Sequence, residues 1–313
     1  MGEKGAYQYG IGCKRVLCVG SYFRSLRMWY GLTPYLKILH YFANQSILKA
    51  AEAASRLHTL EYGFSYGMQW PCLLNALADR EGGPPLLVIT GIDSSKTRPT
   101  SLEWLEENGR RLAAYAKTYN VPFQFHAIYS DQWEEIDPAS LYLHESEVLV
   151  INCMHRLRYL ADESVDSTLT IPPRQKLLMS MRNLSPNLLL TAETNSAGNS
   201  PLFVSRFCEI LCMFSNLMDM FDTPCGDDSD RLFLETKGMA QDVLNIVACE
   251  GAERVERPQT YKQWDGYIKR AGFQLMPIPS VILSRARSYV KQHYHKEFIV
   301  HEDANGWWLL GWK

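Results

Sequence analysis

The stretch Leu57-His58-Thr59-Leu60-Glu61, with the following Tyr62-Gly63-Phe64-Ser65-Tyr66-Gly67 and Met68-Gln69-Trp70-Pro71, constrains the fold more than any other segment. A short apolar strand ends in an acid, a loop with two glycines follows, and a helix begins. A second apolar run, Leu86-Leu87-Val88-Ile89-Thr90-Gly91-Ile92-Asp93, again ends in an acid. Strand, glycine-containing turn, helix, strand and acid is the order of nucleotide-binding α/β folds. There the turn brings backbone N–H groups to the ligand and the second acid meets a ribose hydroxyl.

The rest of the chain extends that pattern. Pro34 opens a helix that runs to about residue 55, with Leu36, Leu39, His40, Ala43, Ile47, Ala50 and Ala51 on one face. The spacing predicts strands at 57–61, 86–92, 121–126, 147–153 and 188–193, alternating with helices at 69–79, 101–119 and 172–184. Helices at 201–219 and 230–249 follow, then a strand at 272–277, a helix at 280–292 and an antiparallel pair at 297–301 and 307–311. Residues 1–33 mix Gly, Tyr and Arg without a clear period and receive no element. The fold class is therefore α/β: a doubly wound, Rossmann-like sheet of methyltransferase type, its last strand inserted antiparallel, with a partial helical cap at the N-terminal end.

A chain of 313 residues, 46% of them hydrophobic, can bury the core of one enlarged domain. Its 32 basic and 34 acidic residues leave a formal charge of −2, without the positive field of an autonomous nucleic-acid binder. Apolar runs are too short to span a bilayer, and no signal peptide opens the chain. The eight cysteines show no Cys-x-x-Cys spacing, so no metal site is expected and reduced, mostly buried intracellular thiols are.

Several longer segments occur in a telling order: FANQSIL, LHTLEYGFSYGMQWPCLL, LLVITGID, EVLVINC, SPLFVSRFCEIL and VACEGAERVERPQTYKQW. In that order they resemble the plant GRAS family of transcriptional regulators, in its scarecrow-like branch, over residues 34–313. Leu57-His58-Thr59-Leu60-Glu61 stands where that family carries Val-His-Ile-Ile-Asp; Thr59 departs by placing a hydroxyl in a strand meant to be buried. Relative to the family the chain reads as truncated at both ends, lacking most of the first leucine-rich region and the last strand. The resemblance implies a nuclear, non-enzymatic regulator that works mainly as a protein–protein adaptor for DNA-binding factors or other GRAS proteins. It further implies a possible homo- or heterodimer, no cofactor and no membrane association, and leaves direct DNA contact open.

A competing chemistry exists for the same loop. Glu61, Gly63, Ser65 and Gly67 resemble the acid-x-Gly-x-Gly-x-Gly turn that holds S-adenosylmethionine in methyltransferases, with Asp93 as the ribose acid. Ser65 replaces the middle glycine, and Phe64, Tyr66, Met68 and Trp70 crowd the backbone that a ligand must approach. A relic cofactor loop without ligand is the reading preferred, an S-adenosylmethionine binder or enzyme the alternative. His58 is expected to be a satisfied core histidine and Cys153 an inert buried thiol. Glu193, Asn195 and Asn199 are expected to line a cleft or cap the helix starting near residue 201. Arg110-Arg111 and the run Arg254-Val255-Glu256-Arg257 read as solvated ion-pairing faces. The leucines near 36–48 and 73–77 are candidates for a partner surface.

Overall fold

In the computed structural model, which describes residues 19–64, 66–95, 100–165, 168, 170–222 and 228–313, a parallel five-stranded sheet organises the chain. Its strands are β1 (Arg56–Tyr62), β2 (Leu86–Asp93), β3 (Phe123–Tyr129), β4 (Val148–Met154) and β5 (Leu188–Ala192), in the order β3-β2-β1-β4-β5. Leu57 lies between Leu87 and Val148, and Glu61 between Gly91 and Asn152. The order reverses between β1 and β4, the switch point where doubly wound folds place ligands.

Both faces of the sheet are covered, as near-continuous apolar strands require. On one face Leu57, Ile89 and Val150 pack with α2 (Tyr35–Ala50), α3 (Trp70–Ala78) and α4 (Leu102–Thr118). On the other, Leu60, Ile92 and Ile151 pack with α5 (Pro173–Asn183) and α9 (Tyr261–Arg270). Ser101 starts α4 by accepting from the backbone N–H of Trp104 at 3.2 Å. Thr260 starts α9 with a capping box to Gln263.

A third core joins the two ends of the chain. It collects Ile38 of α2, Met220 and Phe221 of α6 (Phe203–Asp222), and Leu283 and Val290 of α10 (Ser280–His293). Phe298 and Val300 of β6 (Phe298–Glu302) complete it, and Trp308, Leu310 and Trp312 of β7 (Trp308–Trp312) pack against it. Between α6 and α10 the chain also forms α7 (Asp228–Phe233), a π-helical turn at Leu234–Met239 and α8 (Ala240–Ala248).

Five sequence expectations are corrected. The stretch without an assigned element contains α1 (Val19–Leu32), held by tertiary contacts: Trp29 packs edge-on against Phe221 at 5.3 Å, and Arg24 pairs with Asp230 at 2.9 Å. The helix α9 was not expected either. Residues 272–277 form no strand, and among the described residues the β6–β7 hairpin pairs with itself alone instead of entering the main sheet. Its aromatic residues are held elsewhere, Trp308 against Phe42 of α2 and Trp312 donating to Asp219 of α6 at 2.6 Å. Finally, the leucines at 73–77 are not a partner surface, because Leu73, Leu74 and Leu77 are fully buried under the sheet.

Candidate functional site: the loop after the first strand

β1 delivers its residues alternately to the two faces of the sheet, Leu57 to one core and Leu60 to the other. Between them His58 is fully buried and fully satisfied. Its Nδ1 lies 2.8 Å from Glu147 Oε1 and its Nε2 2.8 Å from Thr90 Oγ1. Burial depresses its pKa, against the opposing pull of Glu147. Arg56 Nε donates to the same Glu147 at 2.9 Å, so β1, β2 and the entry to β4 are tied by one network. Thr59, also fully buried, leaves its hydroxyl without a hydrogen-bond partner.

Glu61 ends the strand at the switch point, only 8% exposed. Asn152 of β4 donates to Glu61 Oε2 at 2.6 Å and to Gln69 Oε1 at 2.9 Å. Burial raises the Glu61 carboxyl to about 8; the Asn152 hydrogen bond and the Arg156 charge pull it down, and Asp93 adds to the rise. The carboxyl is therefore largely protonated at neutral pH, part of a ladder of uncharged polar groups rather than a free anion.

Past Glu61 the loop is closed by its own side chains. Gly63 has φ of +74°, and a Cβ there would come within 2.0 Å of Arg156 Nε. Arg156 occupies that space, donating through Nε and Nη2 to the Gly63 carbonyl at 3.2 and 3.1 Å. Gly67, with φ of +61°, is equally enclosed: a Cβ would lie 2.7 Å from the Phe64 ring. Phe64 packs edge-on against Phe125, and Tyr66 is covered by Tyr22 and Phe23 of α1 and by Trp104 of α4. Ser65 lies outside the described residues. Asp93 is 1% exposed and accepts from the backbone N–H of Ser94 at 3.0 Å. The cavity left beside the loop is about 90 Å³, against the roughly 300–1,000 Å³ of a cofactor-sized site. The backbone approach that S-adenosylmethionine needs is filled by Arg156, so these residues do not fit that cofactor.

The structure gives other sequence candidates plain roles. Cys153 is buried, and burial pushes its thiol well up, away from nucleophilic character. Among the described cysteines, burial holds for Cys153 and Cys249, and the expectation is corrected at Cys72, Cys208 and Cys212, which are exposed. Glu193 lines a cleft together with Asn195, one of the two roles expected of it, and accepts the backbone N–H groups of Arg156 and Leu157 at 2.9 and 2.8 Å. Burial lifts its carboxyl to about 7, with Arg158 opposing. Asn195 accepts from the Tyr261 backbone N–H at 3.1 Å, and Asn199 donates to Asp162 at 2.5 Å.

The run Arg254-Val255-Glu256-Arg257 is corrected from a solvated face to a buried one. Glu256 pairs with Arg158 at 3.0 Å and Arg257 with Asp162 at 3.2 Å, both 2% exposed or less as residues. Asp162 also receives Ser164, Asn199 and, at 3.6 Å, Arg174. Burial raises its carboxyl, but those hydrogen bonds and the two guanidinium groups outweigh it and hold Asp162 at about 2. Arg110 and Arg111 behave as expected, each exposed and paired with Glu107 at 3.0 Å.

Sequence reasoning missed Arg156, Gln69 and Glu147 as site residues. Their partners lie 93, 83 and 89 positions away, and no local spacing signals such a contact. The apolar surface it sought lies on α6. Leu202, Phe203, Val204, Phe207 and Leu211, at the start and along one side of that helix, are 68%, 53%, 70%, 43% and 55% exposed.

Comparison with known proteins agrees with this architecture. A family model described as the GRAS domain family matches residues 18–313. Scarecrow-like protein 11 of Arabidopsis thaliana is 42% identical over 277 residues, covering 88% of this chain and 45% of that protein. Scarecrow-like protein 30 of the same plant is 40% identical over 281 residues, covering 90% and 47%. The chain thus spans about half the length of these relatives. The crystal structure of SCL7 in Oryza sativa superposes with a TM-score of 0.82 at 26% identity, covering 94% of this chain and 81% of that one.

Proposed function

Because the chain belongs to the GRAS domain family of plant transcriptional regulators, we propose that it acts in the nucleus as a protein–protein adaptor for DNA-bound factors rather than as an enzyme. One observation carries the reading: the exposed apolar stripe of α6, in which Phe203 stacks on Phe207 at 5.9 Å with Leu211 one turn further on. Contiguous apolar surface of this kind marks protein contact in a soluble chain. The same helix is anchored from behind by Arg206, which is fully buried, donates to the Ser200 carbonyl at 2.9 Å and pairs with Glu250. The stripe is thereby held on a rigid support.

Two further features favour an adaptor. The methyltransferase-like loop has no room for its cofactor, and a net charge of −2 gives little phosphate attraction for independent DNA binding. The partners proposed are transcription factors or other GRAS proteins, with a homo- or heterodimer as one form of the contact. The test is binding of the purified chain to a second scarecrow-like protein, comparing wild type with the double variant Phe207→Glu, Leu211→Glu. At least tenfold weaker binding by a variant that unfolds at the same urea concentration is expected. Equal binding by the two proteins removes α6 from the account. Exclusion of a fluorescent fusion from plant nuclei, with and without a partner expressed, refutes the nuclear assignment.

A further inference from the structure

Between Asp265 and Glu297 the sequence carries no acidic residue but six basic ones, Lys269, Arg270, Arg285, Arg287, Lys291 and Lys296. In a chain of formal charge −2 this is a local excess of one sign. Three of the six lie on α10, which buries Ile282, Leu283, Ala286 and Val290 and leaves its opposite face exposed.

That face has three rows at four-residue spacing. Ser284, Ser288 and Gln292 form the middle row, all exposed. Arg287 and Lys291 flank it on one side, and Val281, Arg285 and Tyr289 on the other. Among the described residues Arg285, Lys291 and Lys296 have no ion-pair partner, and Arg287 donates to the Val300 carbonyl at 3.0 Å. Arg110 and Arg111, equally exposed, are by contrast both paired with Glu107. Lys291 and His293 complement the C-terminal end of the helix dipole, but Arg285 and Arg287 stand too far from that end to do so. Arg287 and Lys291, one turn apart, repel each other along the helix. The face therefore carries charge that the fold does not use.

Apolar side chains interrupt the charge. Val281 is 54% exposed and Tyr289 37%. The Tyr289 ring lies 5.0 Å from His293, and Tyr30 of α1 stands near it with Lys37 of α2 5.7 Å from the Tyr30 ring. A nucleic-acid backbone offers phosphates but nothing apolar for Val281 and Tyr289, and it draws on a positive field that the whole chain lacks. Protein segments that alternate acidic and apolar residues supply both kinds of contact.

We propose that the exposed face of α10 docks an acidic segment of a partner protein, its carboxylates on Arg285, Arg287 and Lys291 and its apolar residues on Val281 and Tyr289. The 14 residues of α10 span about 21 Å, the reach of an extended segment of about six residues. This face is distinct from the α6 stripe and stands whichever factors that stripe binds.

The probe is a fluorescein-labelled peptide, Asp-Glu-Phe-Asp-Leu-Glu-Asp-Leu, titrated into the full chain and followed by anisotropy. Its comparisons are the same peptide with Ser in place of Phe and Leu, and a labelled DNA duplex at the same salt. The expected result is saturable binding of the first peptide, at least tenfold weaker in the double variant Arg285→Glu, Lys291→Glu. The double variant Arg110→Glu, Arg111→Glu changes net charge equally and should bind as wild type does. Should the first variant unfold at a lower urea concentration than wild type, Arg285→Gln, Lys291→Gln replaces it, with at least fivefold weaker binding expected. The Ser peptide should bind at least fivefold more weakly than the first. No saturable binding by wild type, equal loss in the Arg110 and Arg111 variant, equal affinity of the two peptides, or tighter binding of the duplex than of the first peptide each overturn the proposal.

Discussion

Glu61→Gln provides the sharpest physical test of the loop after β1. A carboxyl held at about 8 rather than its ordinary 4.5 costs about 5 kcal/mol once ionised, at ~1.36 kcal/mol per pH unit. The sign follows from the raised value. The unfolded chain ionises Glu61 above 4.5 while the folded chain resists until about 8, so stability is full below 4.5 and falls as pH rises through 8. Gln occupies the same volume, cannot ionise and still accepts from Asn152. The variant should match wild type near pH 4 and exceed it by about 4 to 5 kcal/mol at pH 9. Glu193, lifted to about 7 by burial, contributes a similar slope but is present in both proteins and cancels in the difference. The assay is urea unfolding of both proteins at intervals between pH 4 and 9. Parallel stability curves across that range would show that Glu61 ionises freely, and the reasoning about the neutral ladder would fail.

Three other outcomes follow from the same contacts. Asp162→Asn should lose about 3–5 kcal/mol at pH 7, because it strands the buried Arg174 and Arg257; a loss under ~1 kcal/mol in urea unfolding contradicts the hub. Gly63→Ala should cost about 2–4 kcal/mol, from a positive φ and from displacement of Arg156 off the Gly63 carbonyl. A neutral effect in the same assay would mean the loop is open. Cys72, Cys208 and Cys212 should react with iodoacetamide in the native chain while Cys153 reacts only after unfolding; mass spectrometry of the labelled peptides reads this directly.

The main sheet is legible in the sequence because its signals are local. Strands β2, β4 and β5 are apolar runs, β1 and β3 mix apolar with polar residues, and Gly63 and Gly67 mark the turn by their type alone. The α9 start was legible too, since Thr260 and Gln263 have capping-box spacing, but the polar texture of Tyr261–Arg270 hid it. α1 shows no comparable signal, as its order comes from Trp29 meeting Phe221, nearly two hundred residues away. The candidate site divides the same way. Glu61 and Asp93 could be read from strand ends, but Arg156 filling the loop and Glu147 satisfying His58 are long-range contacts. Arg254, Glu256 and Arg257 looked solvated because alternating charge usually is, and only the fold supplies the buried partners Arg158 and Asp162. The strand at 272–277 failed for a different reason: a strand exists only with a neighbour to pair with, which no single-segment pattern contains.

The most direct measurement of the central claim, that the methyltransferase-like loop is a closed structural element and the chain works by binding proteins, is calorimetric titration of the folded chain with S-adenosylmethionine. Arg156 over Gly63 and the aromatic cover of Tyr66 predict no saturable heat at any accessible concentration. Binding tighter than roughly 100 μM, about −5.5 kcal/mol, that disappears in Gly67→Trp would contradict the account and make the loop a working cofactor site.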